Sequence, residues 1–334
     1  MSQAGPRGNH SVTKAITRLS LTNNHLHLSR TSSSSSTSIA SPPLRLPPSV
    51  IAKSQGIKYT TTYANYATTT DGKLLSYFHD IPLDLDLGTQ EANFVCEIPR
   101  WSNAKFEISP HLPANPIVQD VKSDAVRFVK NLFPYHGYIH NYGAFPQTWE
   151  DPTQEHAGLY GDNDPLDVCE IGSDILHTGD VRRVKILGAL ALIDDGELDW
   201  KVVVVDVRDP LASSVNDIDD VETLCPGLLS ATRQWFKDYK LADGKAANRF
   251  AFEAKYKSAR EALQVVADCH QSWQRLISGQ VGTTEKVQSL PAIANTTIKG
   301  SPGHLSEFDT KLDDSPPQPD AEVPQITNKN YYFK

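Results

Sequence analysis

Two apolar runs, VRRVKILGALALI (residues 181–193) and WKVVVVDV (200–207), restrict the fold more than any other part of the chain. Their Val, Ile and Leu content predicts two buried strands, and an acidic turn from Asp194 through Asp199 joins them. Shorter β-rich runs precede them, FVCEIPR, KFEIS, YIHNYGAF and DVCEIG, divided by Pro, Gly, Asn and Asp. Two helical patterns follow. PGLLSATRQWFKDYK puts Pro226 at a favourable first position, with Leu228, Thr232, Trp235 and Tyr239 along one stripe. SAREALQVVADCHQSWQRLI aligns Leu263, Val266, Trp273 and Ile277 and spaces Ser258 and Glu261 as a capping box. Strands first and helices later predict an α+β domain, a small closed barrel with helices packed against it.

Charge divides the chain more sharply than its net value of -8 suggests. No acid occurs before Asp71, and the bases there are Arg7, Lys14, Arg18, Arg30, Arg45, Lys53 and Lys58; the remainder holds 25 bases against 40 acids. So acidic a body disfavours nucleic acid as a partner. In the basic segment, SVTKAITRLSL sets Val12, Ile16 and Leu19 on one helical face and Lys14 and Arg18 on another, ahead of TSSSSSTS and PPLRLPP. A basic, Ser-rich, acid-free and amphipathic start predicts an organelle transit peptide, with a disordered low-complexity tail as the alternative. The expected division is a head over residues 1–55, a catalytic domain over 56–280 and an irregular Pro-rich tail over 281–334. No apolar run is long enough to span a bilayer. Cys96, Cys169, Cys225 and Cys269 are scattered without a CxxC pair, which argues against zinc and predicts free thiols.

GDNDPLDVCEIG raises the question of function. Asp162, Asp164 and Asp167 stand within six residues, with Glu170 three further on. Like charges so close repel unless water or a cation lies among them. An EF-hand is excluded because Asp167, the sixth residue of a loop opening at Asp162, falls where the calcium loop needs a glycine. A plain polar turn explains Asn-Asp-Pro by itself, but not a second acidic turn bearing Asp194 and Asp199. Carboxylates without His or Cys select hard cations such as Mg²⁺. Lys105 and Glu107 share a strand face at period two, close in sequence to Glu97; Arg127, Tyr138 and Tyr142 come from RFVKNLFPYHGYIHNYG, and Tyr239 and Lys240 close a helix. His136 and His140 lack the helix-borne Glu of a zinc-binding HExxH and are read as structural or hydrogen-bonding. Acids that gather Mg²⁺, with Arg, Lys and Tyr that grip oxygen, describe a small phosphate ester or anhydride as substrate.

The same stretches carry a family resemblance. DNDPLD, EIPRWSNAKFEI, RFVKNLFPYHGYIHNYGAFPQTWED, DDGELDWK, DPLASSVNDIDDVE and PGLLSATRQWFKDYK resemble, in order, the soluble family I inorganic pyrophosphatases of eukaryotes. The resemblance implies a five-stranded OB-type β-barrel with flanking helices and extra β-strands, a homodimer, and Mg²⁺-dependent hydrolysis of pyrophosphate to two orthophosphates by a metal-activated water. It implies that Asp162, Asp167 and Asp199 hold two activating metals, and that Asp194 and Glu107 hold ions arriving with substrate. Asp164 then stands beside the attacking water and Tyr138 is a proton donor. Arg127, Lys105, Lys201, Tyr142, Tyr239 and Lys240 hold phosphoryl oxygens, with Glu97 as a partner behind them. The basic head resembles mitochondrial members and is absent from cytosolic ones, so a mitochondrial matrix address is expected, with plastid or cytoplasm as alternatives.

Overall fold

The computed structural model describes residues 48–156, 158–284, 287–313 and 318–332; the amphipathic and serine-rich parts of the head lie outside the described residues. Five strands form a ring: β1 (Glu91–Ile98), β2 (Asn141–Ala144), β3 (Asp167–Glu170), β4 (Val181–Asp194) and β5 (Glu197–Asp206). They run β5-β3-β2-β1-β4, and β4 pairs with β5 to close the circuit. The two long apolar runs are therefore an antiparallel hairpin with Asp194 opposite Glu197. Asp195 and Gly196 make its two-residue turn with φ of 47° and 102°. A hairpin turn of this length needs positive φ to match the twist of its strands, and Asp-Gly supplies it cheaply. β3 and β5 pair in parallel, which sets Asp167 beside Lys201.

Alternation along β5 feeds two cores. Val202 and Val204 pack with Phe94, Cys96 and Val168 against Leu263 and Val266, while Val203 and Val205 pack with Ile171 and Leu187 against Ile218, Val221 and Leu229. Each such side chain withdrawn from water contributes about 1.5–3 kcal/mol. The helices that cover these faces are α1 (Ile218–Leu224), α2 (Leu228–Asp238) and α3 (Ala259–Ile277). α3 begins with the expected Ser258–Glu261 capping box and buries Leu263, Val266, Trp273 and Ile277. α2 departs from expectation at its start: Gly227, at φ 92°, is the residue before the helix, so Pro226 lies outside it. Its buried stripe is Leu229, Thr232, Trp235 and Phe236, one position on from Leu228 and with Tyr239 at the end rather than on the face. α1 was not anticipated; Asp217 and Asp220 form its capping box.

A second sheet joins Ile51–Gln55, Ala64–Thr68, Leu74–Leu75, Phe106–Ile108 and Ile117–Gln119. Ile51–Gln55 falls on the head side of residue 55 yet pairs antiparallel with Ala64–Thr68. Beyond Gly279 the chain has little regular structure but is fastened to the body. Asp80 accepts hydrogen bonds from the amides of Thr296 and Thr297, both 2.8 Å, and Asn330–Tyr331 runs parallel to Asn131–Leu132. Among the described residues no helix is long and apolar enough to cross a membrane.

Candidate active site

The acids are gathered by the ring itself. β3 opens on Asp167, β5 carries Asp199 and Lys201 on alternate positions, and β4 ends at Asp194. The DNDP loop completes the set: Asn163 takes φ 76°, which asparagine tolerates, and the Asp162 carboxylate accepts the Asp164 amide at 3.0 Å. All fourteen residues expected at the site line one cavity of about 280 Å³. They are Glu97, Lys105, Glu107, Arg127, Tyr138, Tyr142, Asp162, Asp164, Asp167, Asp194, Asp199, Lys201, Tyr239 and Lys240. Glu170 is not among them. It is buried at the far end of β3, where it accepts hydrogen bonds from Asn141 Nδ2 (2.7 Å), the Gly172 amide (2.7 Å) and the Asp206 amide (3.0 Å). His140 is likewise structural: its Nε2 meets Thr232 Oγ1 at 2.7 Å, and burial lowers its pKa to about 3, so the ring is neutral.

Cations interleave with the carboxylates. Lys201 Nζ contacts Asp167, Asp199 Oδ1 (2.5 Å) and the Tyr142 hydroxyl (2.8 Å), and Tyr142 donates to Asp167. Lys240 pairs with Asp194, whose other oxygen receives the Tyr239 hydroxyl at 3.4 Å. Lys105 bridges Glu107 (2.7 Å) and Asp120 (3.1 Å), and Asp120 also holds Arg127 at 2.8 Å. Glu97 is buried and accepts the Ile108 amide at 2.7 Å. Asp120, Glu150, Asp195 and Lys245 belong to this neighbourhood without having been expected there. Lys245 meets Asp195 at 3.0 Å, and Glu150 accepts the Trp200 amide at 3.0 Å. Asp195 lies in the acidic turn already singled out, whereas no local sequence cue marks Asp120, Glu150 or Lys245, whose relevance comes only from chain segments meeting in space.

Protonation follows from this crowding. Loss of solvent, then Asp164 and Asp167, pushes Asp162 well above the usual carboxylate range. Asp199 is raised by burial despite the opposing pull of Lys201, and Glu150 by burial with Asp162 and Asp199. Asp164 opens to the cavity on one side, yet the protein around it, followed by Glu107 and Asp167, pushes it up to about 7. Burial raises Tyr138 to about 12 against the pull of Lys105 and Arg127, so its hydroxyl keeps its proton at neutral pH. Lys201 stays charged because Asp167 and Asp199 outweigh its burial.

A carboxylate array held this far from its solution state is short of positive charge. Oxygens of Glu150, Asp162 and Asp199 lie within 4.8 Å of one another, a hard-oxygen set suited to a divalent cation such as Mg²⁺. Residues 94–274 match the family model described as inorganic pyrophosphatase. The chain belongs to the inorganic pyrophosphatase family. It is 50% identical over 284 residues to the mitochondrial inorganic pyrophosphatase of Saccharomyces cerevisiae, covering 83% of this chain and 87% of that one. It is 48% identical over 287 residues to the inorganic pyrophosphatase of Eremothecium gossypii, covering 83% and 99%. Among solved structures, the inorganic pyrophosphatase of Schistosoma japonicum superposes with a TM-score of 0.76 at 41% identity, covering 85% of this chain and 100% of that one. The type I enzyme of Toxoplasma gondii gives 0.64 at 40%, covering 68% and 99%.

Proposed function

We propose that the chain hydrolyses inorganic pyrophosphate to two orthophosphates with Mg²⁺ as its metal, inside a ring of strands of OB-barrel type. The observation that carries this reading is one cavity in which six aspartates and Glu107 interleave with Arg127 and four lysines. That composition fits a polyanion that enters with its cations. Asp162, Asp167 and Asp199 hold the activating ions, and Asp194 and Glu107 those that accompany substrate. Bound there, Mg²⁺ supplies the Lewis acidity that brings water's pKa from 15.7 towards roughly 7. Asp164, with its carboxyl poised near neutrality, orients the attacking water and accepts its proton. Arg127, Lys105, Lys201, Lys240, Tyr142 and Tyr239 hold phosphoryl oxygens, where negative charge builds as the anhydride breaks. Tyr138 keeps its proton and so can donate it. Glu97, fixed by the Ile108 amide, supports the carboxylates from behind. Phosphate release from pyrophosphate should require Mg²⁺ and exceed that from a nucleoside triphosphate; equal rates on both would overturn the assignment of substrate.

The acid-free head of residues 1–55 directs the 56–280 catalytic domain and its 281–334 tail to the mitochondrial matrix, as its charge and amphipathic pattern suit an importer. A reporter carrying residues 1–50 that stays in the cytosol would remove that address. The enzyme acts as a homodimer: Trp101, Phe133 and Tyr332 are large exposed aromatics, and the rings of the last two form a tilted pair with centroids 5.1 Å apart. A monomer in sedimentation at micromolar concentration would count against it.

A further inference from the structure

Glu150 is a carboxylate beside the catalytic acids that none of the roles above uses. It is 3% exposed. Its Oε1 accepts the Trp200 amide at 3.0 Å, while Oε2 is buried without a hydrogen-bond partner among the described residues. A buried carboxylate oxygen without a donor is costly, and one that persists in a folded protein calls for an explanation.

The explanation lies in what holds the residue and what it faces. The Glu150 amide donates to the Asp164 carbonyl (2.9 Å), and its own carbonyl accepts the Asn163 amide (3.0 Å). Glu150 is thus laced to the loop that carries Asp162. On its other side Trp149 donates to the Cys269 carbonyl at 3.0 Å, and Arg275 of α3 holds Asp151 at 2.7 Å. The segment cannot swing to water without leaving both. One carboxylate oxygen each from Glu150, Asp162 and Asp199 lies within 4.8 Å of the others. Oxygens on opposite sides of a Mg²⁺ ion stand about 4.2 Å apart at bond lengths near 2.1 Å, so only small adjustments bring all three into contact with one ion.

We infer that Glu150 is an additional ligand for the divalent cation seated between Asp162 and Asp199. The inference rests on the metal-dependent reading of the site and adds a residue to it. Glu150 approaches from the wall opposite the open cavity: the strand neighbours of Asp199, Leu198 and Trp200, line a separate hollow with Glu150, while Asp199 itself lines the catalytic one. The ion is thereby gripped from behind as well as from the side on which substrate enters.

Glu150→Gln tests this. The amide keeps an oxygen for the Trp200 amide and changes charge rather than shape. Mg²⁺ binding to the full chain without substrate, followed by titration calorimetry, should weaken about 10- to 100-fold. The unfolding temperature measured without metal should not fall, and kcat at saturating Mg²⁺ should suffer less than the Mg²⁺ concentration needed to reach it. Mg²⁺ binding within twofold of the parent would overturn the inference, leaving Glu150 as a protonated acid that fills space. Should E150Q fail to fold, Glu150→Asp carries the test, because it keeps the charge and shortens the reach; undiminished Mg²⁺ binding in it would overturn the inference equally. A parent protein that binds Mg²⁺ through Glu150 yet leaves pyrophosphate intact would sink the proposed function while leaving this inference standing.

Discussion

Asp164 and Asp167 are three residues apart and sit in opposite circumstances. Asp167 is held by the Tyr142 hydroxyl and the Lys201 ammonium, so its charge is already engaged. The Asp164 carboxylate accepts no hydrogen bond among the described residues, and its pKa near 7 leaves it ready to take a proton. Asp164→Asn should therefore lower turnover about 10²-fold or more while Mg²⁺ still binds. Asp167→Asn should weaken Mg²⁺ binding itself. Steady-state rates set beside metal titrations check this: full recovery of D164N in excess Mg²⁺ would make it a metal ligand and remove the division of labour. At this scale the site was largely legible, because its residues fall in short acidic, basic and aromatic stretches whose chemistry is local. Asp120 and Glu150 were not. The first acquires meaning only by lying between Lys105 and Arg127, the second only by meeting Asp162 and Asp199 across a fold.

Elements were legible where periodicity ran long. β4, β5 and α3 announce themselves through extended apolar patterns, and α3 starts at the capping box that its sequence spells. α1 escaped because its seven residues bury only Ile218 and Val221, too few to establish a period. Pro226 misled because a good first helical residue is equally good just outside a helix that begins after glycine. The join between elements was invisible: no pattern says that Gly161 abuts the Glu150 peptide. A Cβ at Gly161 would stand 2.4 Å from the Glu150 carbonyl carbon and oxygen, both rigid backbone. Gly161→Ala must therefore push the metal-bearing loop off the Trp149–Asp151 segment, at about 1–3 kcal/mol for overpacking of this kind. Both the unfolding temperature and Mg²⁺ affinity should drop. A variant as stable and as tight for Mg²⁺ as the parent would mean that the two segments separate freely and that Glu150 is not held in place by the loop.

Across the whole molecule the crowded acids make stability depend on pH in an unusual direction. A carboxyl whose pKa is higher folded than unfolded binds its proton more tightly in the native state, so native stability falls as pH rises past the unfolded value of about 4. The fall continues until the folded value is passed, which for Asp164 is about 7. Glu97, Glu150, Asp162 and Asp199 are raised as well and act in the same sense. Asp120 opposes them, since the pull of Lys105 and Arg127 outweighs its burial and lowers its pKa, giving stability that is lost only in acid. Lys201 is also raised, but its titration lies far above this window. His79 and His140, lowered by burial to about 4 and about 3, also oppose them until their free value near 6.5 is passed. Metal-free protein should accordingly lose unfolding temperature between about pH 6.5 and pH 7.5, where most proteins are near their best. Mg²⁺ must reverse the trend, because its ligands bind only when deprotonated and its affinity grows as protons leave. Differential scanning calorimetry across that range, with chelator and with Mg²⁺, measures both slopes. A metal-free unfolding temperature that rises with pH over that range, or a Mg²⁺ increment as large at pH 6.5 as at pH 7.5, would show that the carboxylates carry their charge without needing an ion among them.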